Sequence, residues 1–104
     1  MEKFRYLLLT FLLVAIPALA AAQDRNMVRG TVIDTEDEPV IGASVQEIDA
    51  TNRIHSMTVT DINGDFSLKV KNPSNKIKIS YVGHTPQVLP IEPVMNVTLK
   101  DAST

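Results

Sequence analysis

Few side chains in this sequence are spaced for chemistry, and the clearest set is Asp61, Asn63 and Asp65. An oxygen-bearing side chain at every second residue is the opening spacing of a calcium loop, in which carboxylates and amides converge on a hard cation. Such a loop also places a glycine sixth and a glutamate twelfth. Gly64 does not stand at the sixth place, and the twelfth residue is Asn72. The same residues suit a tight turn. The Asp61 side chain can accept hydrogen bonds from amides two residues on, and Asn63 and Gly64 tolerate positive φ. A structural turn carried by Asp61, Asn63 and Gly64 is the expectation, with no metal.

The remaining candidates point away from catalysis. Asp34, Glu36, Asp37 and Glu38 put four carboxylates within five residues; their mutual repulsion makes this an exposed loop. His55 and His84 each lack a second ligand at metal spacing, and without any cysteine a zinc site has no donor set. No serine stands in a nucleophile-elbow motif, and no nucleophile, base and acid can be assembled from the spacing. No catalytic, cofactor-binding or metal-ligating residues are expected, and no cofactor.

The elements that would position a surface are strands. Residues 64–70 alternate strictly: Phe66, Leu68 and Val70 on one face, Ser67 and Lys69 on the other. With 54–60 before it, this reads as two strands joined by the tight turn at 61–64, a hairpin. Residues 27–33 make a first strand with Val28, Gly30 and Val32 on one face, and 43–48 a second with Ala43 and Val45 facing in. Residues 76–82 alternate again, with Ile77, Ile79 and Tyr81 inward. Residues 85–91 carry Pro86 and Pro90, which cannot donate to a ladder and demand an edge or irregular strand. Residues 94–99 close the set. The expected core includes Val32, Val45, Phe66, Leu68, Ile79, Tyr81 and Leu99. Lys69, Lys71, Lys76 and Lys78 would line the wet faces of two adjacent strands, favouring solubility. Seven short strands with frequent turn signals, and no helical periodicity beyond residue 22, indicate an all-β sandwich.

The first 22 residues read as a signal peptide. Lys3 and Arg5 precede an apolar run over 7–22, broken only by Thr10 and Pro17, and small residues close it with two Ala-x-Ala sites. That run of 16 residues is short of the ~20 needed to span a bilayer. Cleavage after Ala22 leaves 82 residues bearing 8 basic and 11 acidic side chains. This mild acidity argues against nucleic acid as a partner, and no membrane span is expected after cleavage. An exported domain of this size without disulfides depends on a well-packed core.

Several motifs in one order resemble a known family. They are Gly30-Thr31-Val32, then Asp34, Pro39-Val40-Ile41-Gly42-Ala43-Ser44-Val45, Thr60-Asp61-Ile62-Asn63-Gly64-Asp65-Phe66-Ser67-Leu68, Ile79-Ser80-Tyr81-Val82-Gly83-His84 and Val97-Thr98-Leu99-Lys100. The pattern resembles the carboxypeptidase regulatory-like domain, in the variant that extends the N-terminus of SusC/RagA-type TonB-dependent outer-membrane receptors of Bacteroidota. The resemblance implies a seven-stranded transthyretin-like (prealbumin-like) Greek-key sandwich over 27–100, between the signal-peptide helix at 1–22 and a tail at 101–104. Asp37 stands where the family usually has a turn glycine, Ala50-Thr51 where it has Gly-Thr, and His84 where an aromatic ring is common. In the receptors a plug and barrel follow the last strand, so the sequence reads either as a stand-alone copy or as the front of a longer receptor. A bacterial source makes the sequon Asn96-Val97-Thr98 incidental.

The resemblance implies a non-catalytic accessory domain, exported to the periplasm or outer membrane of a Gram-negative bacterium and associated with TonB-dependent nutrient uptake, glycans above all. Its partner would be a protein, such as an outer-membrane receptor or its associated components, docked on a sandwich face or strand edge. The expected contact is the strand over 85–91, with Gln87 and Val88. A small carbohydrate-binding or adhesive surface module is the alternative. That function needs exposed rings to stack on sugars, and after cleavage only Phe66 and Tyr81 remain, both on faces assigned to the core.

Overall fold

The computed structural model describes residues 26–102, and the segment expected to be a signal peptide lies outside the described residues. Seven strands follow in chain order: β1 Met27–Asp34, β2 Ser44–Ile48, β3 Ile54–Val59, β4 Asp65–Lys69, β5 Lys76–Ser80, β6 Gln87–Pro90 and β7 Val94–Leu99. They form two sheets, a three-stranded one ordered β4-β1-β7 and a four-stranded one ordered β3-β2-β5-β6. All pairs are antiparallel except β1 with β7. The all-β sandwich expected from the alternation is present.

One core joins the sheets. The three-stranded sheet contributes Val28, Val32, Phe66, Leu68, Met95, Val97 and Leu99; the four-stranded sheet contributes Val45, Ile77 and Ile79; and Val40, Ala43 and Val70 come from the flanks. These residues sit at every second position of their strands, so one face of each sheet is apolar and burial against the other sheet drives assembly. Of the expected core, Val32, Val45, Phe66, Leu68, Ile79 and Leu99 are buried. Tyr81 is not: it is 40% exposed. β5 ends at Ser80, and 81–84 form a turn closed by the His84 N–H donating to the Tyr81 carbonyl at 3.1 Å. The inward alternation stops one residue before the ring, which instead lies 5.5 Å from the His84 ring.

The turn at 61–64 does not close a hairpin. β3 pairs with β2 in one sheet and β4 with β1 in the other. The crossing is made at Thr60, just beyond β3. Its hydroxyl donates to the Val40 carbonyl (2.6 Å) and accepts from the Ala43 N–H (2.8 Å), drawing the chain under the sheet. The turn then delivers the Gly64 carbonyl to the Val32 N–H at 2.8 Å, which starts the β4–β1 pairing. A tight turn has the same local chemistry whether the chain returns within a sheet or crosses between sheets. For the same reason Lys69 on β4 and Lys76 and Lys78 on β5 lie on different sheets, not on adjacent strands.

Candidate interaction surface

The calcium-like spacing resolves into backbone hydrogen bonding. Asp61 Oδ1 accepts from the N–H groups of Asn63 and Asp65, both at 2.9 Å, and the Gly64 N–H donates to the Asp61 carbonyl. Asp65 Oδ1 accepts from the Thr31 hydroxyl at 2.6 Å. Both carboxylates are thus spent on turn and strand. Among the described residues no three His, Asp or Glu side chains converge as metal ligands.

The histidines are similarly occupied. His55 Nε2 donates to Asp49 Oδ2 at 2.8 Å, while His84 Nδ1 donates to the Val82 carbonyl at 3.0 Å and its Nε2 lies 3.5 Å from Asp101 Oδ1. Asp49 also takes the Thr51 hydroxyl and the N–H groups of Thr51 and Arg53, which shapes the β2–β3 loop with Asn52 at φ 64°. His55 first, then Thr51 and Arg53, hold the Asp49 carboxyl well below the usual carboxylate range. In the acidic loop Asp34 plays the same part, accepting from the Glu36 and Glu38 N–H groups. Asp37 adopts φ 61° there, a conformation Asp tolerates better than most residues.

Glu47 is the functional-looking group that sequence reasoning passed over. It is fully buried on the inner side of β2. Its carboxylate accepts from the Ser56 hydroxyl (2.7 Å), the N–H groups of Lys71 and Asn72, and the Asn75 side-chain amide (each 2.9 Å). Burial alone would push this carboxyl up. The Lys71 N–H, the Ser56 hydroxyl, the Asn72 N–H and the Asn75 amide outweigh that and hold it down at about 2. Every oxygen lone-pair direction has protein donors and no water or substrate is needed, so Glu47 works as a staple joining β2 to β3 and to the β4–β5 loop. The signal was present in the alternation: Glu47 shares its parity with Ala43 and Val45.

What remains open is surface. The register aligns Met57, Gln46, Lys78 and Val88 in a row across β3, β2, β5 and β6, with Val59, Ser44 and Ser80 alongside. The alternate row, Thr58, Val45, Ile79 and Gln87, faces the core side. The outer face of the four-stranded sheet is therefore part apolar, part cationic, with Met57, Val59 and Val88 about half exposed. At its end the β2–β3 and β4–β5 loops border a cleft of about 360 Å³, lined among others by Ile48, Asn52, Ser74, Lys76 and Val88. Asp49 and Glu47 fix the two loops that form its walls. β6 is the edge strand expected from its prolines. Of its two expected contact residues, Val88 is exposed and lines the cleft. Gln87 is not available: its side-chain amide donates to the Thr98 carbonyl and clips β6 to β7.

The CarboxypepD_reg-like domain family matches residues 28–103. The chain is also similar to the TonB-dependent receptor SusC of Bacteroides thetaiotaomicron, 39% identical over 101 residues. That match takes in 97% of this chain but only 9% of the receptor. Among solved structures it is similar, at 19% identity and a TM-score of 0.49, to a chain of a type II cohesin–X-dockerin complex from Acetivibrio cellulolyticus, covering 76% of this chain and 54% of that one.

Proposed function

Because the chain belongs to the carboxypeptidase regulatory-like domain family, we propose that it is a non-catalytic, exported accessory domain of a TonB-dependent uptake system in the outer membrane of a Gram-negative bacterium. The observation that carries this reading is the 39% identity to a TonB-dependent receptor along nearly the whole chain. The carboxylates of Asp34, Glu47, Asp49, Asp61 and Asp65 and the rings of His55 and His84 all bond groups of their own fold, which is in keeping with that reading. What the domain offers is a rigid two-sheet body with a mixed apolar and cationic face and a cleft beside Val88, features suited to holding a protein neighbour. Its place is the periplasmic side of the outer membrane, and its role is to position or couple a receptor, whether as part of that receptor's own chain or as a separate copy.

A carbohydrate-binding module is the competing reading, and Tyr81, half exposed rather than buried, is the observation in its favour. One ring already packed against His84 is a poor platform for sugar stacking. Affinity recovery of the tagged chain from detergent-solubilised outer membranes separates the two. A TonB-dependent receptor should be recovered. Binding of the purified chain to a soluble oligosaccharide with no receptor recovered would favour the carbohydrate module, and hydrolysis of a peptide or glycan would overturn both.

A further inference from the structure

Asn63 is exposed, and among the described residues its side-chain amide makes no hydrogen bond. It is also the one asparagine of six that precedes a glycine. That order matters chemically. The side-chain carbonyl carbon of an asparagine can close a five-membered ring with the backbone nitrogen of the next residue, and glycine alone leaves that nitrogen unshielded by a Cβ. In the fold the same nitrogen is occupied. The Gly64 N–H donates to the Asp61 carbonyl and the Asp61 N–H to the Asp65 carbonyl, each at 2.9 Å. Asp61 Oδ1 takes the N–H groups on either side, those of Asn63 and Asp65. Gly64 itself is buried at φ 75°, and its carbonyl is pinned by the Val32 N–H at 2.8 Å. A reactive amide thus stands in solvent beside a nucleophile that the turn holds shut.

We infer that Asn63 is a spontaneous modification site gated by the fold: when the turn at 61–64 opens, Asn63 deamidates to aspartate and isoaspartate, and the isoaspartyl product keeps the turn from closing again. The co-reactants are hydroxide and water. Hydroxide removes the Gly64 amide proton, and the nitrogen bonds to Asn63 Cγ. The Cγ–Nδ2 bond breaks, and Nδ2 leaves as ammonia with a proton from water, which restores the hydroxide. The resulting succinimide adds one water. Breaking its bond from nitrogen to Cγ gives aspartate in an unaltered main chain. Breaking the bond from nitrogen to the backbone carbonyl carbon gives isoaspartate, whose main chain runs through Cβ and Cγ. Nothing is oxidised or reduced. In the closed turn the first step must strip a buried N–H from its acceptor and swing Gly64 away from Val32, so reaction waits on local opening. Isoaspartate inserts one methylene before Gly64 and adds a carboxylate between Asp61 and Asp65. The Gly64 N–H and carbonyl then cannot both reach Asp61 and Val32, and the bond that starts the β4–β1 pairing is lost. Residue 63 therefore keeps a permanent record of turn opening.

The test incubates the exported chain in mildly alkaline buffer, native and in guanidinium chloride. Deamidation at each asparagine is read by peptide mass spectrometry, with isoaspartate separated from aspartate by chromatography. In denaturant Asn63 should react faster than Asn52 or Asn75. In the native fold it should react at least about tenfold more slowly than in denaturant, the factor that corresponds to about 1.4 kcal/mol of turn opening. Asp61→Ala removes the acceptor of two N–H groups, so Asn63 should deamidate several-fold faster in native buffer while circular dichroism still shows the sandwich. Should that variant unfold, the two wild-type rates decide alone. The isoaspartyl chain, returned to native buffer, should show faster amide exchange at Val32. Equal wild-type rates in the two conditions, no preference for Asn63 in denaturant, a folded Asp61→Ala chain with the wild-type rate, or an isoaspartyl chain with Val32 fully protected would each overturn the inference.

Discussion

The Phe66 ring on β4 lies directly over Gly30 on β1: a Cβ added at Gly30 would stand 2.7 Å from two ring carbons and run into the Met95 carbonyl oxygen. Gly30 is the register partner of both Phe66 and Met95. The largest side chain of the core is therefore seated in a slot that only the absence of a side chain provides, in the centre strand of the three-stranded sheet. Gly30→Ala should destabilise the domain by about 1–3 kcal/mol through overpacking, measured by urea unfolding. An unchanged midpoint would mean that both the Phe66 ring and the Met95 backbone have room to give way.

Gly64 has the same importance for a different reason. It holds φ 75°, and its missing Cβ would fall 2.5 Å from the Val32 carbonyl oxygen. Gly64→Val combines left-handed strain with a backbone collision, so a loss of about 2 kcal/mol or more is expected. Because this turn carries the chain from one sheet to the other, amide exchange in the variant should rise first at the β4–β1 pairing. Protection lost uniformly across both sheets would contradict that.

Acid should reveal Glu47. Its carboxyl ordinarily titrates at 4.5 and is held at about 2 in the fold. Since the folded value is the lower one, the stabilisation is complete above the ordinary value. It is lost as pH falls from about 4.5 through about 2, and amounts to about 3 kcal/mol. Glu47→Gln cannot accept on both sides of the carboxyl. It should lower stability at pH 7 and flatten the acid limb of the stability profile, leaving the slope contributed by Asp49. A variant with the wild-type acid limb would show that the carboxylate is not the group responsible.

The strands were legible because their alternation is local: all seven lie within one or two residues of the positions read from the sequence. The pairing was not. Thr60 decides that the turn at 61–64 crosses between sheets, and its partners Val40 and Ala43 lie some twenty residues upstream. Tyr81 continued the parity of Ile77 and Ile79, yet the strand ends at Ser80, and only the closure of the 81–84 turn shows it. Glu47 followed the inward parity of Val45, but its polarity hid it, since the donors that make its burial tolerable come from two separate segments, β3 and the β4–β5 loop. Gln87 was legible as an edge residue and not as a clip, because Thr98 belongs to the other sheet.

In the function proposed above, this domain holds a protein of the uptake system against its four-stranded sheet. A photo-crosslinking amino acid placed at Val88, exposed beside the cleft, tests it in exporting cells. A covalent adduct with a TonB-dependent outer-membrane receptor, identified by mass spectrometry, is expected, with little or none from the same substitution at Ser67 on the other sheet. Adducts absent from Val88, in cells where the purified chain binds a soluble oligosaccharide, would contradict it.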